Sequence, residues 1–245
     1  MSFFPRPHPP ARPFARSHHS GFTLVELLTV IAIIGVLAGI LVPVIGSVRT
    51  SAKQSVSVSN MRQVGVAMLA FVSDNRGHFP LSTHSHDNKD SWINTLLPYV
   101  GDNNEVRTCP LDPRKDLLIE RRLSSYTLNE WLLPVDNGDG YVSDWRYNRL
   151  NLIPNPGKTF VVFMGCEHKT SPSISHDHTH GTGWNNWLQV IADIDPDRFR
   201  KSTRSPDRTE GSSPYAFADG HVSVIPAATL QAALANANFS KPGNW

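Results

Sequence analysis

Cysteine is scarce in this chain. The two present, Cys109 and Cys166, lie far apart and form no CxxC pair, so zinc-ribbon and thioredoxin-like chemistry has no basis in the sequence. A single disulfide in an oxidising compartment and two separate buried thiols are both open, because sequence does not reveal whether two Cα atoms come within bridging distance. A surplus of charge is also lacking: the formal net charge is +2 over 245 residues. The first twenty-one residues contain Arg6, Arg12 and Arg16 and no acid, so the remainder carries a net −1 and the sequence pI of 8.6 owes much to that segment. No basic stripe interleaved with aromatics is present, and no nucleic-acid partner is expected. There is no GxSxG elbow, HExxH helix or Walker loop, and no catalytic residue is assigned. Internal repeats are missing too.

One long hydrophobic run is present. Residues 1–20 are rich in Pro, Arg, His and Ser and show no apolar periodicity, the profile of a leader. From Phe22 to Ile45 the chain is apolar, interrupted by Glu26, Thr23 and Thr29. A helix of that length spans roughly 36 Å, enough to cross the hydrocarbon core of a bilayer. An ordinary secretory signal would place its apolar region at 27–35 and its cut near Val36-Leu37-Ala38. The apolar run continues past that point, however, and a Glu opens it. A plain single-span anchor fits the length but leaves Glu26 without a role, since a carboxylate in the apolar phase is costly.

Gly21-Phe22-Thr23-Leu24-Val25-Glu26 resembles the signature of type IV prepilins and type II secretion pseudopilins. The resemblance implies a cut after Gly21 by prepilin peptidase on the cytoplasmic face and methylation of the new N-terminal residue, Phe22. It further implies that Glu26 pairs with the N-terminal amine of a neighbouring subunit, which makes a buried carboxylate tolerable. Pro43 falls where that family often carries a proline and would permit a kink or local melting. Gly35 and Gly39 form a small-xxx-small pair, a weak signal of close helix approach. The implied partners are the peptidase, other pilin or pseudopilin subunits and the inner membrane, with the C-terminal domain periplasmic or in an extracellular filament.

Beyond Ile45 the sequence keeps helical character. Met61, Val64, Met68 and Phe71, widened by Ala67, form one apolar stripe expected to pack on a sheet, and the helix should stop at Asp74-Asn75-Arg76-Gly77. Asn88 to Tyr99, with Trp92, Ile93, Leu96 and Leu97, reads as a short helical pattern ending at Pro98, Ser125 to Asn129 as a short strand or turn, and Thr159 to Met164 as the clearest strand. Residues 167–186 and 195–214 read as polar loops. Tyr215–Phe217 and His221–Ile225 flank Asp219-Gly220 as a hairpin, and 227–237 reads as a helix. The fold class is therefore α+β and pilin-like: a long N-terminal helix, transmembrane then amphipathic, packed on a small antiparallel sheet with long loops. The expected divisions are a cleaved leader at 1–21, an assembly helix at 22–45, its soluble continuation at 46–75 and a globular domain at 76–245.

Parts of the globular region are similar to pseudopilin-like proteins as well. These are Phe71 to Pro80, Trp92 to Tyr99, Cys109-Pro110-Leu111-Asp112, and Phe217-Ala218-Asp219-Gly220-His221-Val222. The last resembles a tail built on a histidine, nine spacers and Asp-Gly, except that Thr209 stands where the histidine would be, preceded by Arg208. The resemblance implies a structural subunit of a secretion pseudopilus or type IV pilus-like filament. One rival is a minor pilin or surface binding module that uses loops at 80–90 and 167–186. Another is a membrane-anchored metal-dependent enzyme using His176, His178 and His180 around Asp177, with His84, His86 and Asp87 as a second HxH pair. No metal ligand is assigned. The resemblance also leaves calcium open, since major pseudopilins often bind it in loops near their C-terminal sheet; Asp193, Asp195, Asp197 and Asp219 are oxygen donors there, though they form no EF-hand. Cys166 and His168 could share one face of a strand, yet Cys166 reads better as a buried strand-end residue, and Asp219-Gly220 as a turn.

Overall fold

The computed structural model describes residues 22–82, 91–133, 147–167, 177–201, 203–235 and 237–245. The chain divides into two compact units, Met1–Ser47 and Val48–Trp245. Helix α1 covers Leu24–Asp74 and contributes to both. In the first unit every described residue from Phe22 to Val42 is exposed. The helix is uninterrupted at position 43, although a proline supplies no N–H for the bond to the carbonyl four residues back.

The second unit is α+β. Its four-stranded antiparallel sheet runs in the order β1 (Tyr126–Leu128), β2 (Phe160–Met164), β3 (Ser212–Phe217) and β4 (Val222–Pro226). Short helices decorate it: α2 (Trp92–Thr95), α3 (Lys115–Glu120), α4 (Trp187–Asp193) and α5 (Ala227–Leu234). The soluble stripe of α1 packs as expected. Met61, Val64, Ala67, Met68 and Val72 are buried in one cluster with Tyr126, Leu128, Val162, Met164 and Ala216. The helix then stops at Asp74 with Arg76 in the left-handed region and Gly77 N–H donating to the Val72 carbonyl at 2.8 Å, which satisfies an end carbonyl.

The opposite face of the sheet carries a second, aromatic cluster: Phe160, Phe163, Tyr215 and Phe217 with Trp184, Val190, Leu230 and Phe239. Phe160 and Phe163 are three residues apart yet stack at 5.4 Å on the same side. Strict alternation would put them on opposite faces. The register between β2 and β3 shifts between Phe160 and Val162, and this irregularity restores the facing. Burying a strand on both faces explains why Phe160–Met164 is continuously apolar.

The hairpin forms at Asp219-Gly220 and is longer than expected, since β3 begins at Ser212. Gly220 has φ +88°, and a Cβ there would lie 2.5 Å from Leu69 Cδ1. A side chain at 220 would therefore meet both backbone strain and helix α1. On α1, Gly65 approaches the Gly220 carbonyl and Ala216, its missing Cβ 3.3 and 3.7 Å from them. Small residues on both elements set this close packing.

Candidate functional site

The N-terminus of α1 is built by a local hydrogen-bond exchange. Glu26 N–H donates to Thr23 Oγ1 at 3.2 Å, while Glu26 Oε2 accepts from Thr23 N–H and from Thr23 Oγ1, each at 2.8 Å. This is a capping box with the threonine hydroxyl used in both directions. A carboxylate in the first turn also suits the positive end of the helix dipole. Both bonds fall on one carboxylate oxygen, Oε2. Thr29 Oγ1 donates to the Glu26 carbonyl at 2.9 Å, one turn further on. Thr23 thus has a role that the sequence reading passed over, and its signal was the Thr-x-x-Glu spacing. Phe22, 72% exposed, precedes this cap. Gly21 lies outside the described residues, as does the whole leader.

Among the described residues, α1 alone is long and apolar enough to cross a membrane. Its exposed apolar residues, on all sides of the helix, include Leu24, Leu28, Ile31, Ile34 and Ile40. In water such a surface would cost roughly 25 cal/mol per Å² of apolar area, so it calls for lipid or other helices.

The other candidate groups separate. His176, His84, His86, Asp87 and His168 lie outside the described residues. His178 and His180 do share one side of the chain, with ring centroids 5.6 Å apart. Their neighbours are structural. His178 Nδ1 meets Ser82 Oγ at 2.8 Å, and the Asp177 carboxylate accepts from Ser91 Oγ and Trp92 N–H. Residues 178–179 add a parallel bridge to β1 at Leu128. The stretch expected as a polar loop therefore buries His178 and Thr179. No three His, Cys, Asp or Glu side chains converge in a metal-holding group among the described residues.

Both cysteines are free and buried, so the disulfide alternative gives way to two separate thiols. Cys109 accepts from Ser57 Oγ at 3.2 Å, and burial pushes its thiol pKa up, away from nucleophilic use. Cys166 closes β2, near Arg208.

The stretch 195–208 carries a buried ionic cluster that its charged composition did not announce. Asp195 and Asp197 are fully buried, and Arg198 and Arg208 nearly so. Arg198 reaches Asp195 at 2.5 Å and Glu167 at 2.9 Å. Arg208 pairs with both Asp195 and Asp197, and Arg204 bridges Glu167 and Asp195, each at 3.1 Å. Arg114 holds Asp112 at 2.9 Å. Burial pushes the Asp112 carboxyl up, but Arg114 and Arg198 outweigh it and hold it below the usual range; Arg198 and Arg204 do the same for Glu167. For Asp197 burial wins and raises the pKa despite Arg204. Arg208, noted at the sequence level only as a basic residue before Thr209, is an anchor of this cluster. Helix α4 was likewise unassigned. Its signal was the Asn186–Gln189 capping box, which the structure forms completely.

Residues 16–42 match the family described as the prokaryotic N-terminal methylation motif. The type II secretion system core protein G of Pseudomonas aeruginosa is 35% identical over 60 residues, which is 24% of this chain and 42% of that protein. The chain thus spans less than half the length of this curated relative. No solved structure matches.

Proposed function

We propose that the chain is a structural subunit of a type II secretion pseudopilus or a type IV pilus-like filament, cut after Gly21 by prepilin peptidase and N-methylated at Phe22. The match of residues 16–42 to the methylation motif carries this reading. Two physical features support it. The exposed apolar run from Phe22 to Val42 needs a lipid or helical environment. Among the described residues, Glu26 at the start of that run accepts its hydrogen bonds through Oε2.

In this reading the subunit first rests in the inner membrane, with Thr23 shielding the Glu26 carboxylate. Such shielding matters because an unsatisfied carboxylate in hydrocarbon costs several kcal/mol. The amine of Phe22 on an adjacent subunit then approaches Glu26 Oε1. The pair joins the N-terminus of one helix to the first turn of the next and sets subunit register, while the apolar faces bundle. The catalysis belongs to the peptidase and this chain is its substrate. The domain from Val48 onward stands in the periplasm or on the filament surface.

Mass spectrometry of the mature N-terminus tests the processing step. The expected chain begins with N-methylated Phe22. A chain beginning at Gly39, or one retaining Met1, defeats the proposal.

A further inference from the structure

The family resemblance leaves calcium open near the C-terminal sheet, and four aspartates were the donors on offer. Calcium takes six to eight oxygen ligands, mostly carboxylates and carbonyls, around one open point. These aspartates do not fit that demand. The Asp193 carboxylate accepts from Trp184 Nε1 at 2.8 Å and from His180 N–H at 2.6 Å. Asp219 sits in the hairpin turn, accepting from His221 N–H at 3.1 Å. Asp195 and Asp197 face guanidinium groups.

We infer that arginine side chains, rather than a divalent cation, neutralise the buried carboxylates of this loop, so that the domain folds and stays folded independently of calcium. The charge balance supports this. Four carboxylates, on Asp112, Glu167, Asp195 and Asp197, form ion pairs with four guanidinium groups, on Arg114, Arg198, Arg204 and Arg208, and a fifth, on Arg200, interacts electrostatically with Asp197 and Glu167. An added divalent ion would face cations already in place at about hydrogen-bonding distance. The arginines also tie separate elements together, as an ion would. Arg208 Nη1 donates to the Ile191 carbonyl at 2.9 Å, and Arg114 Nη1 to the Glu167 carbonyl at 2.6 Å. Planar guanidinium groups can serve two carboxylates at once through several fixed donors, which a lysine could not. Ser213 completes the loop, donating to the Asp195 carbonyl at 2.5 Å and accepting from Arg198 N–H at 3.0 Å.

The experiment follows thermal unfolding of the full chain in detergent micelles, in excess chelator and in millimolar calcium. The wild-type melting temperatures should agree within about one degree. An ion present at a hundred times its dissociation constant would raise the melting temperature of a domain this size by roughly 5–10 °C, and a rise of that kind overturns the inference. Arg208→Met leaves two buried carboxylates short of a partner and should lower the melting temperature by about 10 °C with or without calcium. Arg204→Gln, at a partly exposed site, keeps the test open should the first variant fail to fold. It should melt roughly 3 °C below wild type, and a wild-type melting temperature for Arg204→Gln would also overturn the inference.

Discussion

Between Phe22 and Val42 the apolar side chains stand on the outside, whereas between Asp195 and Arg208 charged side chains are on the inside. The two regions invert the usual partition, and for opposite reasons. In the loop, each buried charge already has its counter-charge within the same chain. In the helix, the apolar surface has no partner among the described residues of its own unit and calls for one from lipid or from another copy. Where a polypeptide departs from apolar-inside, polar-outside, the location of the compensating partner separates a finished fold from an unfinished assembly.

The same change made in each region breaks the symmetry of that comparison. Val162→Asp puts an unpaired carboxylate into a fully buried strand and should cost more than about 4 kcal/mol. The measurement is protease resistance of the Val48–Trp245 unit, which should vanish. Ile34→Asp, on the exposed face, should leave that resistance unchanged. Its cost, about 3 kcal/mol on insertion, should appear as loss of the chain from the membrane fraction. If both variants fail in the same assay, the division between regions is wrong.

Smaller changes sharpen the contrast at the helix start. Glu26→Ala should leave cleavage after Gly21 largely intact and reduce filament yield at least about tenfold, a loss on the scale of one charge-assisted hydrogen bond. Normal filaments from that variant would refute the amine pairing. Thr23→Ala removes the cap, worth about 1 kcal/mol. It should slow assembly by a few fold without abolishing it, read as filament length against time. The weakest effect is that of pH. Asp112 and Glu167 have depressed folded-state pKa values, so their stabilisation is present above the unfolded values and fades as pH falls below about 4. Asp197 is shifted the other way, and its contribution is fullest in acid and lost as pH rises through its folded value, which partly offsets the first trend. The melting temperature should therefore be flat near neutrality and fall in acid. A fall on going from pH 5 to 7 would mean Asp197 dominates.

How much of this could be read from residues depended on the range of the interaction. The apolar run at 22–45, the stripe at Met61, Val64 and Met68, the strand at 159–164 and the Asp-Gly turn are local, so their periodicity or turn chemistry is visible in a short window. The ionic cluster is not local. It joins Asp112 and Arg114 to Glu167 and to residues 195–208, and each piece alone has the composition of a solvated loop. The shared facing of Phe160 and Phe163 was hidden too, because it depends on an irregularity in pairing with β3. Helix α4 was legible through its capping box, but its single turn or two of apolar spacing gave little periodicity to support it.

The contact of Gly65 with the Gly220 carbonyl also sets an order of events. In the proposed reading, a chain delivered N-terminus first commits its hydrophobic segment to the bilayer early. The helix surface around Gly65 must then wait for the final hairpin, since the partner that covers it is encoded near the far end. Closing so long a loop is entropically slow. The globular unit therefore completes its packing late, and until the hairpin folds back the stripe of α1 at Met61, Val64 and Met68 stays uncovered.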